Sequence, residues 1–440
     1  MPNLITIILR SWISLDRPLI YYDYLFLIPL VFLNVNVYAI WLIYLFMIFA
    51  DISISLSNLF LFSYEDFIRT FKFFTNYDFS LNQILLSICS ILFLYFILQQ
   101  LKRVNKQLGF DKPLLLFFFI TIIAIFCLDF INGSNTVESP IKKQVHQGNI
   151  AGFASTSVVS FLININAQVE KPKQNTTQSI TFETFKNDSL SNQMLILVES
   201  FGLLKNRDDQ QIIENNINET FKKNNWKIKW GKTPFEGSTT RAEIRELLNS
   251  NGDYRYLIRN NDINSIFNIK HAQGYYTNAA HSYNGTMFER NIWWKNIGIK
   301  APLFSESFQQ KNAYKLKLNT ESPFISIQDE TTFDFLQNES KKNTKNFAYL
   351  LTVNSHIPFN ISDLKNKGRI KLLSNNFENL TELNGQLIRI INFLSHVANN
   401  LDSTKFNKVL IVGDHMPPFN SKASRSLYDS KHVPYCIIYK

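Results

Sequence analysis

Three cysteines in 440 residues leave no room for a disulfide framework. Cys89 and Cys127 fall within apolar runs, Cys436 stands alone in the polar part, and there is no CxxC pair. A glycine-rich nucleotide loop is also missing, which removes the usual signature of nucleotide chemistry. Arg10 and Arg17 interrupt the first apolar stretch and no small-residue cleavage site follows it, so a cleavable signal peptide is not expected. Net charge is absent from the first third. Residues 1–135 hold 8 Lys/Arg and 8 Asp/Glu, which leaves the whole net charge of +10 to the remainder. Hydrophobic residues still make up 46%, with 39 Phe, at a mean hydropathy of only −0.06. Both values hold together only if very apolar stretches alternate with very polar ones. A simple soluble globule and an all-membrane transporter are thereby excluded, and a polytopic anchor with a basic polar domain behind it remains.

Residues 113–131 carry one charge, Asp129, and residues 81–101 carry none. Each run is long enough to cross a hydrocarbon core of ~30 Å as a helix. Residues 20–58 are apolar apart from Asp23 and Asp51, with Asn34 and Asn36 in the middle, and suit a tight helical hairpin with a short first member. The expectation is an anchor of about four helices over 1–132. The loop 102–112 concentrates cations and reads as cytoplasmic, so the 113–131 helix runs outward and delivers the polar part to the far side. Residues 133–185 read as a linker. Within it, 146–165 suits either an interfacial helix or a helix packed on the domain.

From residue 186 to 440 short apolar runs alternate with amphipathic helical stretches. MLILVESF (194–201), FAYLLTVNSH (347–356), KVLIVGDH (408–415) and YCIIYK (435–440) look like strands buried on both faces of a parallel sheet. RAEIRELL (241–248) and 378–397 lie between them as helices. The predicted class is α/β: an α/β/α sandwich with a mostly parallel central sheet, behind an α-helical transmembrane domain. Chemistry is expected at the carboxyl ends of the strands.

Glu199 closes the first of these strands and Asp414–His415 closes a later one. Thr239 and Thr240 lie in EGSTTRAEIREL, a glycine-containing turn that runs into a helix, where backbone N–H groups and the helix dipole favour an anion. Two carboxylates, an imidazole and an alkoxide make a reasonable donor set for Zn²⁺ or Mn²⁺. Such an ion lowers the hydroxyl pKa and stabilises charge on an attacked phosphorus. The residues themselves therefore point to a metal-activated threonine nucleophile. Asp329–Glu330, His432 and Cys436 read as structural, the acidic pair as a helix start.

The order of LILVESFG (195–202), STTRAE (238–243), HSYNGTMFERNIWWKNIGI (281–299), TVNSHIPF (352–359) and LIVGDHMPPF (410–419) resembles the alkaline phosphatase/sulfatase superfamily. Within it, the likeness is to the membrane-anchored lipoteichoic-acid synthase-like branch of phosphoglycerol and phosphoethanolamine transferases. The resemblance makes Glu199, Thr239, Asp414 and His415 the metal ligands, with Thr239 also the nucleophile. It favours Thr239 over Thr240 because the family's nucleophile stands four residues before an acidic residue, here Glu243. It gives His281 and Arg290 to the substrate headgroup and His356 to catalysis beside the phosphoryl group. Phe288 stands where lipoteichoic-acid synthases carry a tryptophan. The sulfatase signature Cys-x-Pro-x-Arg is missing, which disfavours sulfate ester hydrolysis.

The resemblance implies a transferase that moves a phospholipid headgroup, phosphoglycerol or phosphoethanolamine, through a phosphothreonine intermediate to a surface glycan or glycolipid. A tethered phosphodiesterase or phosphatase is the rival enzyme, and a degenerate lipid- or partner-binding domain the non-enzymatic alternative. The implied cofactor is one divalent metal, Mn²⁺ or Zn²⁺, with Mg²⁺ third. The implied setting is the bacterial cytoplasmic membrane, multi-pass, with the catalytic domain on the extracytoplasmic side. The partners are a bilayer phospholipid and a glycan acceptor. The dispersed positive charge suits anionic lipid, not nucleic acid.

Overall fold

In the computed structural model the described residues are 20–60 except 34, 112–133, 171–234, 237–310 except 263 and 301, 318–319, 326–357 except 342–343, 381–419 and 422–440, with isolated positions between 92 and 169. The chain divides into two compact units, Met1–Gln168 and Val169–Lys440.

In the first unit, helix α1 (Leu27–Phe32) is short, α2 (Val37–Phe60) has 24 residues and α3 (Lys112–Gly133) has 22. Helix α1 ends at Phe32, and at the start of α2 the Asn36 side chain accepts the Tyr38 N–H at 2.9 Å. Among the described residues one segment, Val37–Ile54, is long and apolar enough to cross a membrane. The two acids that interrupt the 20–58 run are buried: Asp51 accepts the Tyr24 hydroxyl at 2.9 Å, and Asp23 accepts the Val158 N–H at 3.1 Å. An apolar helix carries such a group only where a partner satisfies it. The predicted span 81–101 and the candidate helix 146–165 lie outside the described residues apart from isolated positions.

The second unit is built on a seven-stranded sheet. Its strands in chain order are β1 (Gln193–Val198), β2 (Lys227–Pro234), β3 (Tyr276–His281), β4 (Pro302–Leu303), β5 (Asn346–Leu351), β6 (Lys408–Gly413) and β7 (His432–Tyr439). Across the sheet they stand β2-β7-β6-β1-β5-β3-β4. The pairs β6–β1, β1–β5, β5–β3 and β3–β4 are parallel. β7 runs antiparallel to both β6 and β2, so the YCIIYK run joins the sheet in the opposite direction to the other three apolar runs.

Side chains alternate across the central strands, as the pleat requires. Met194, Ile196, Val198, Ala348, Leu350, Val409 and Ile411 face one core. That core is shared with α5 (Arg207–Lys223) and α8 (Thr381–Asn400) through Ile213, Ile217, Leu387 and Leu394. Leu195, Leu197, Phe347, Tyr349, Leu410 and Val412 face the other. There they meet α4 (Ile180–Phe185), α6 (Thr239–Leu248) and α7 (Arg290–Asn296). With both faces covered, this is the predicted α/β/α sandwich. Phe182 and Phe185 are buried in the second core, so the compact unit takes in residues that their polar neighbours suggested were linker.

Candidate active site

Four parallel strands end on one edge, and the register aligns their last residues. Gly413 pairs with Val198, and Leu351 pairs with both Leu197 and His281. The residues that follow β1, β5 and β6 therefore emerge side by side, with His281 closing β3.

Glu199 and Asp414 are 4% and 0% exposed, and His415 is buried between them. His415 Nε2 lies 3.3 Å from Glu199 Oε1 and 3.3 Å from Asp414 Oδ2. The Thr239 hydroxyl lies 3.1 Å from Glu199 Oε2 and 3.2 Å from His415 Nε2. Thr239 is the first residue of α6, after Ser238 at the N-cap with extended backbone (φ −73°, ψ 168°). Thr240 turns away: its hydroxyl sits 3.1 Å from that of Ser238. The two threonines are thus separated by a rotation of about 100° around the helix.

Electrostatics follow from the crowding. Burial raises the pKa of Asp414, the Glu199 charge raises it further, and it reaches about 8. Burial pushes Glu199 in the same direction, but the His415 charge and hydrogen bond outweigh it and hold Glu199 below the ordinary carboxylate range. Burial works against a charged His415, yet Asp414 and Glu199 lift it to about 10. The His415 imidazolium is thus set against an ionised Glu199 and an Asp414 whose charge burial and Glu199 both oppose.

The donor chemistry fits a divalent cation. Glu199, Asp414 and His415 each offer a ligand atom, and these atoms lie within 4.8 Å of one another. Asp414 Oδ1 accepts the N–H of Ser200 at 2.7 Å and of His415 at 2.5 Å, whereas the buried Oδ2 faces His415 Nε2 at 3.3 Å and has no backbone donor among the described residues. A buried acidic pair is costly to keep charged, and a divalent cation held by Glu199, Asp414 and His415 offsets that cost.

Several residues that the sequence reading missed hold this arrangement. The Glu199 N–H donates to Thr352 Oγ1 at 2.9 Å, and the Ser355 hydroxyl donates to the Glu199 carbonyl. Ser200 adopts a left-handed backbone (φ 57°), uncommon for a non-glycine residue. Its hydroxyl donates to Glu199 Oε1 and its carbonyl accepts from Gln386 Nε2. Asp329, read as a helix start, also accepts the N–H groups of Val353 and Asn354, fixing the turn after β5. Thr352 and Ser355 lie in the TVNSHIPF motif, but hydroxyls there give no signal that their partner is the Glu199 backbone, 153 and 156 residues away.

His356 follows that turn, half-buried. Burial lowers its pKa, and the charges of Glu199 and His415 act on it from the cluster. His281 is 3% exposed. Its Nδ1 lies 3.1 Å from the Leu351 carbonyl oxygen, which can only accept, so this nitrogen carries the proton and Nε2 is left as an acceptor. Burial first, and then the Arg290 charge, bring the His281 pKa down from 6.5 to about 3. Between these values the unfolded chain binds a proton that the folded chain refuses, so stability falls as pH drops from about 6.5 towards about 3. The melting temperature of the wild type should therefore decline over that range more steeply than that of His281→Asn. Parallel curves for the two proteins would contradict the assignment.

Arg290 has a partner inside the protein. The resemblance gives Arg290 to the substrate headgroup, and in the fold one edge of its guanidinium is engaged by a buried acid. Nε and Nη2 donate to Glu243 Oε2 at 3.0 and 2.9 Å, with side-chain exposures of 2% and 0%. Glu243 Oε1 accepts from Trp294 Nε1 at 2.9 Å and from the Tyr349 hydroxyl at 3.2 Å. The approach is strained: Phe288 and Glu289, both non-glycine, have φ of 53°. Each such residue costs roughly 1–2 kcal/mol. The Phe288 ring then packs 5.1 Å from the guanidinium.

A family model described as Sulfatase matches residues 238–439, from the N-cap of α6 into the end of β7. That stretch of the second unit is thus similar to a sulfatase domain. The match takes in Thr239, Asp414 and His415, while Glu199 lies upstream of it. No curated protein matches the chain. Among solved structures, the chain is similar to the lipoteichoic acid synthase LtaP of Listeria monocytogenes, at 15% identity and a TM-score of 0.43, over 57% of this chain and 65% of that one. It is similar to the phosphoglycerol transferase GacH of Streptococcus pyogenes in complex with sn-glycerol-1-phosphate (17% identity, TM-score 0.38, 61% and 78% covered). It is also similar to the C-terminal periplasmic domain of EptC from Escherichia coli in complex with Zn (11% identity, TM-score 0.35, 62% and 77% covered). The chain spans just under two thirds of the Listeria structure.

Proposed function

We propose that this protein is a membrane-tethered, metal-dependent phosphotransferase. In this reading Thr239 attacks the headgroup phosphate of phosphatidylglycerol or phosphatidylethanolamine, and the headgroup passes to a hydroxyl of a surface glycan or glycolipid. The observation that carries the reading is the Thr239 hydroxyl, set between Glu199 and His415 with the buried Asp414 carboxyl beside them. Glu199, Asp414, His415 and Thr239 would hold one divalent ion, Mn²⁺ or Zn²⁺, which supplies charge to lower the hydroxyl pKa and to offset charge on the phosphoryl oxygens. The proton of Thr239 leaves along its hydrogen bond to Glu199 as the oxygen bonds to phosphorus. The phosphorus–oxygen bond to diacylglycerol breaks, and His356 protonates the departing oxygen. A phosphothreonine diester remains. In the second half the acceptor hydroxyl gives its proton to His356 as it bonds to phosphorus, and the Thr239 oxygen leaves and takes back the proton held by Glu199.

His281 stays neutral in this scheme and offers Nε2 to a donor on the headgroup, with Arg290 behind it as a fixed cation. The apolar α2 supports a membrane tether, and we propose further spans in the 1–132 anchor, with residues 186–440 outside the cytoplasmic membrane. Tethering raises the effective concentration of bilayer headgroups at the site. The test follows fluorescent phospholipid incubated with the purified full chain, with and without candidate glycans. Diacylglycerol release that depends on glycan, with headgroup recovered on it, is expected. Equal release of free headgroup in both cases would make the protein a hydrolase. Metal analysis runs in parallel: Asp414→Ala should lose both bound metal and turnover, whereas His356→Ala should lose turnover alone.

A further inference from the structure

The cluster at the sheet edge depends on the turn before α6 and the end of β6 lying side by side, and one buried side chain outside the cluster grips both. Arg245 lies six residues after Thr239 in α6 and is 1% exposed. Its Nε donates to Glu246 Oε1 at 2.6 Å. Its Nη1 donates at 2.8 Å to the carbonyl of Pro234, the last residue of β2 before the turn into α6. Its Nη2 donates at 3.2 Å to the carbonyl of Gly413, the residue before Asp414. Glu246 is anchored in turn by the N–H and hydroxyl of Thr181.

A buried ion pair needs only its own partner to balance charge. Here the guanidinium's remaining forks go to two strand ends that are not hydrogen-bonded to each other, since β7 stands between β2 and β6. A rigid planar group with donors at fixed angles suits such a bridge, and a lysine ammonium does not. We infer that Arg245 is a positioning residue, which holds the Thr239 turn in register with Asp414–His415 by bridging the Pro234 and Gly413 carbonyls. It acts through the backbone. The inference deepens the proposed role of Thr239 and rests on it for its effect on turnover, but the mechanical link can be read without any reaction.

The test compares the full-length wild type with Arg245→Lys and Arg245→Gln, by hydrogen exchange and by turnover of fluorescent phospholipid. Lysine can still pair with Glu246, so Arg245→Lys carries the test if Arg245→Gln fails to fold. Amides of Gly237–Thr240 and of Asp414–Met416 should exchange faster together, while those of β1 and β5 stay as in the wild type. Turnover should fall on the order of 10²-fold in kcat, the scale set by a misplaced reacting group, with KM little changed. Loosening spread equally over β1 and β5, or no change at the two segments, would reduce Arg245 to a core ion pair and overturn the inference. If the two segments loosen together but the wild type turns over no phospholipid, the coupling stands and the proposed reaction is what fails.

Discussion

Replacing Thr239 by alanine should lower turnover by roughly 10⁴- to 10⁶-fold, the scale seen when a covalent nucleophile is removed from an otherwise intact site. The fold should survive. Thr239 is only half-buried at the first position of α6, and the helix is anchored further along by Ile244, Leu247 and Leu248 in the core. The hydroxyl removed touches Glu199 and His415, and no hydrogen bond of the core depends on it. Metal should bind more weakly but remain measurable, since Glu199, Asp414 and His415 are untouched. Thr240→Ala is the matched control. It removes one neutral hydrogen bond to Ser238, worth about 1 kcal/mol, and should leave turnover nearly unchanged. Comparable losses in both variants would mean that the hydroxyl orientation at the start of α6 is not the one that reacts.

Arg290→Met should show the largest effect on stability. It leaves Glu243 buried without its cation, and breaking a buried pair from one side costs about 3–5 kcal/mol. For a unit of this size that corresponds to a fall in melting temperature on the order of 10 °C. Burial already raises the pKa of Glu243 against the pull of Arg290, so the orphaned acid will take up a proton. Trp294 and Tyr349 still donate to its other oxygen, which keeps the loss from being larger. The double variant Glu243→Gln/Arg290→Met should recover much of the stability, because a neutral pair removes the unbalanced charge. If Arg290 instead held a substrate phosphate directly, Arg290→Met would raise KM and leave the melting temperature almost unchanged. Thermal unfolding of the three variants separates the two roles.

The parts of the site that sequence makes legible share one physical cause. Strands buried on both faces read as unbroken apolar runs, and the polar residue that ends such a run marks its carboxyl end. LILVE and LIVGDH are of this kind, so Glu199, Asp414 and His415 could be named, and parallel pairing then brings them together. What stayed hidden depends on partners rather than on runs. β2 carries Lys227, Lys229 and Lys232 on the outer strand of the sheet, where charge guards an edge and the apolar signal is lost. The composition of YCIIYK does not encode its direction, and β7 is antiparallel. The motif around Arg290 identified an important cation but not its partner Glu243, 47 residues earlier, because burial of the pair appears only when α6 and α7 pack. The same holds for Arg245, whose hydrogen bonds to Pro234 and Gly413 depend on the sheet order.

The central claim is that Thr239 carries the headgroup between donor and acceptor, and the most direct measurement is to trap it there. Wild-type protein loaded with metal should be incubated with headgroup-labelled phospholipid in the absence of glycan, quenched, and digested with trypsin. Cleavage after Lys232 and Arg241 isolates the peptide TPFEGSTTR, which contains both candidate threonines. The account predicts a phosphodiester of the headgroup on this peptide, assigned to Thr239 by fragmentation, absent in Thr239→Ala and discharged when glycan is added. Label on Thr240, or glycan-dependent turnover with no label on the peptide at any time, would contradict it.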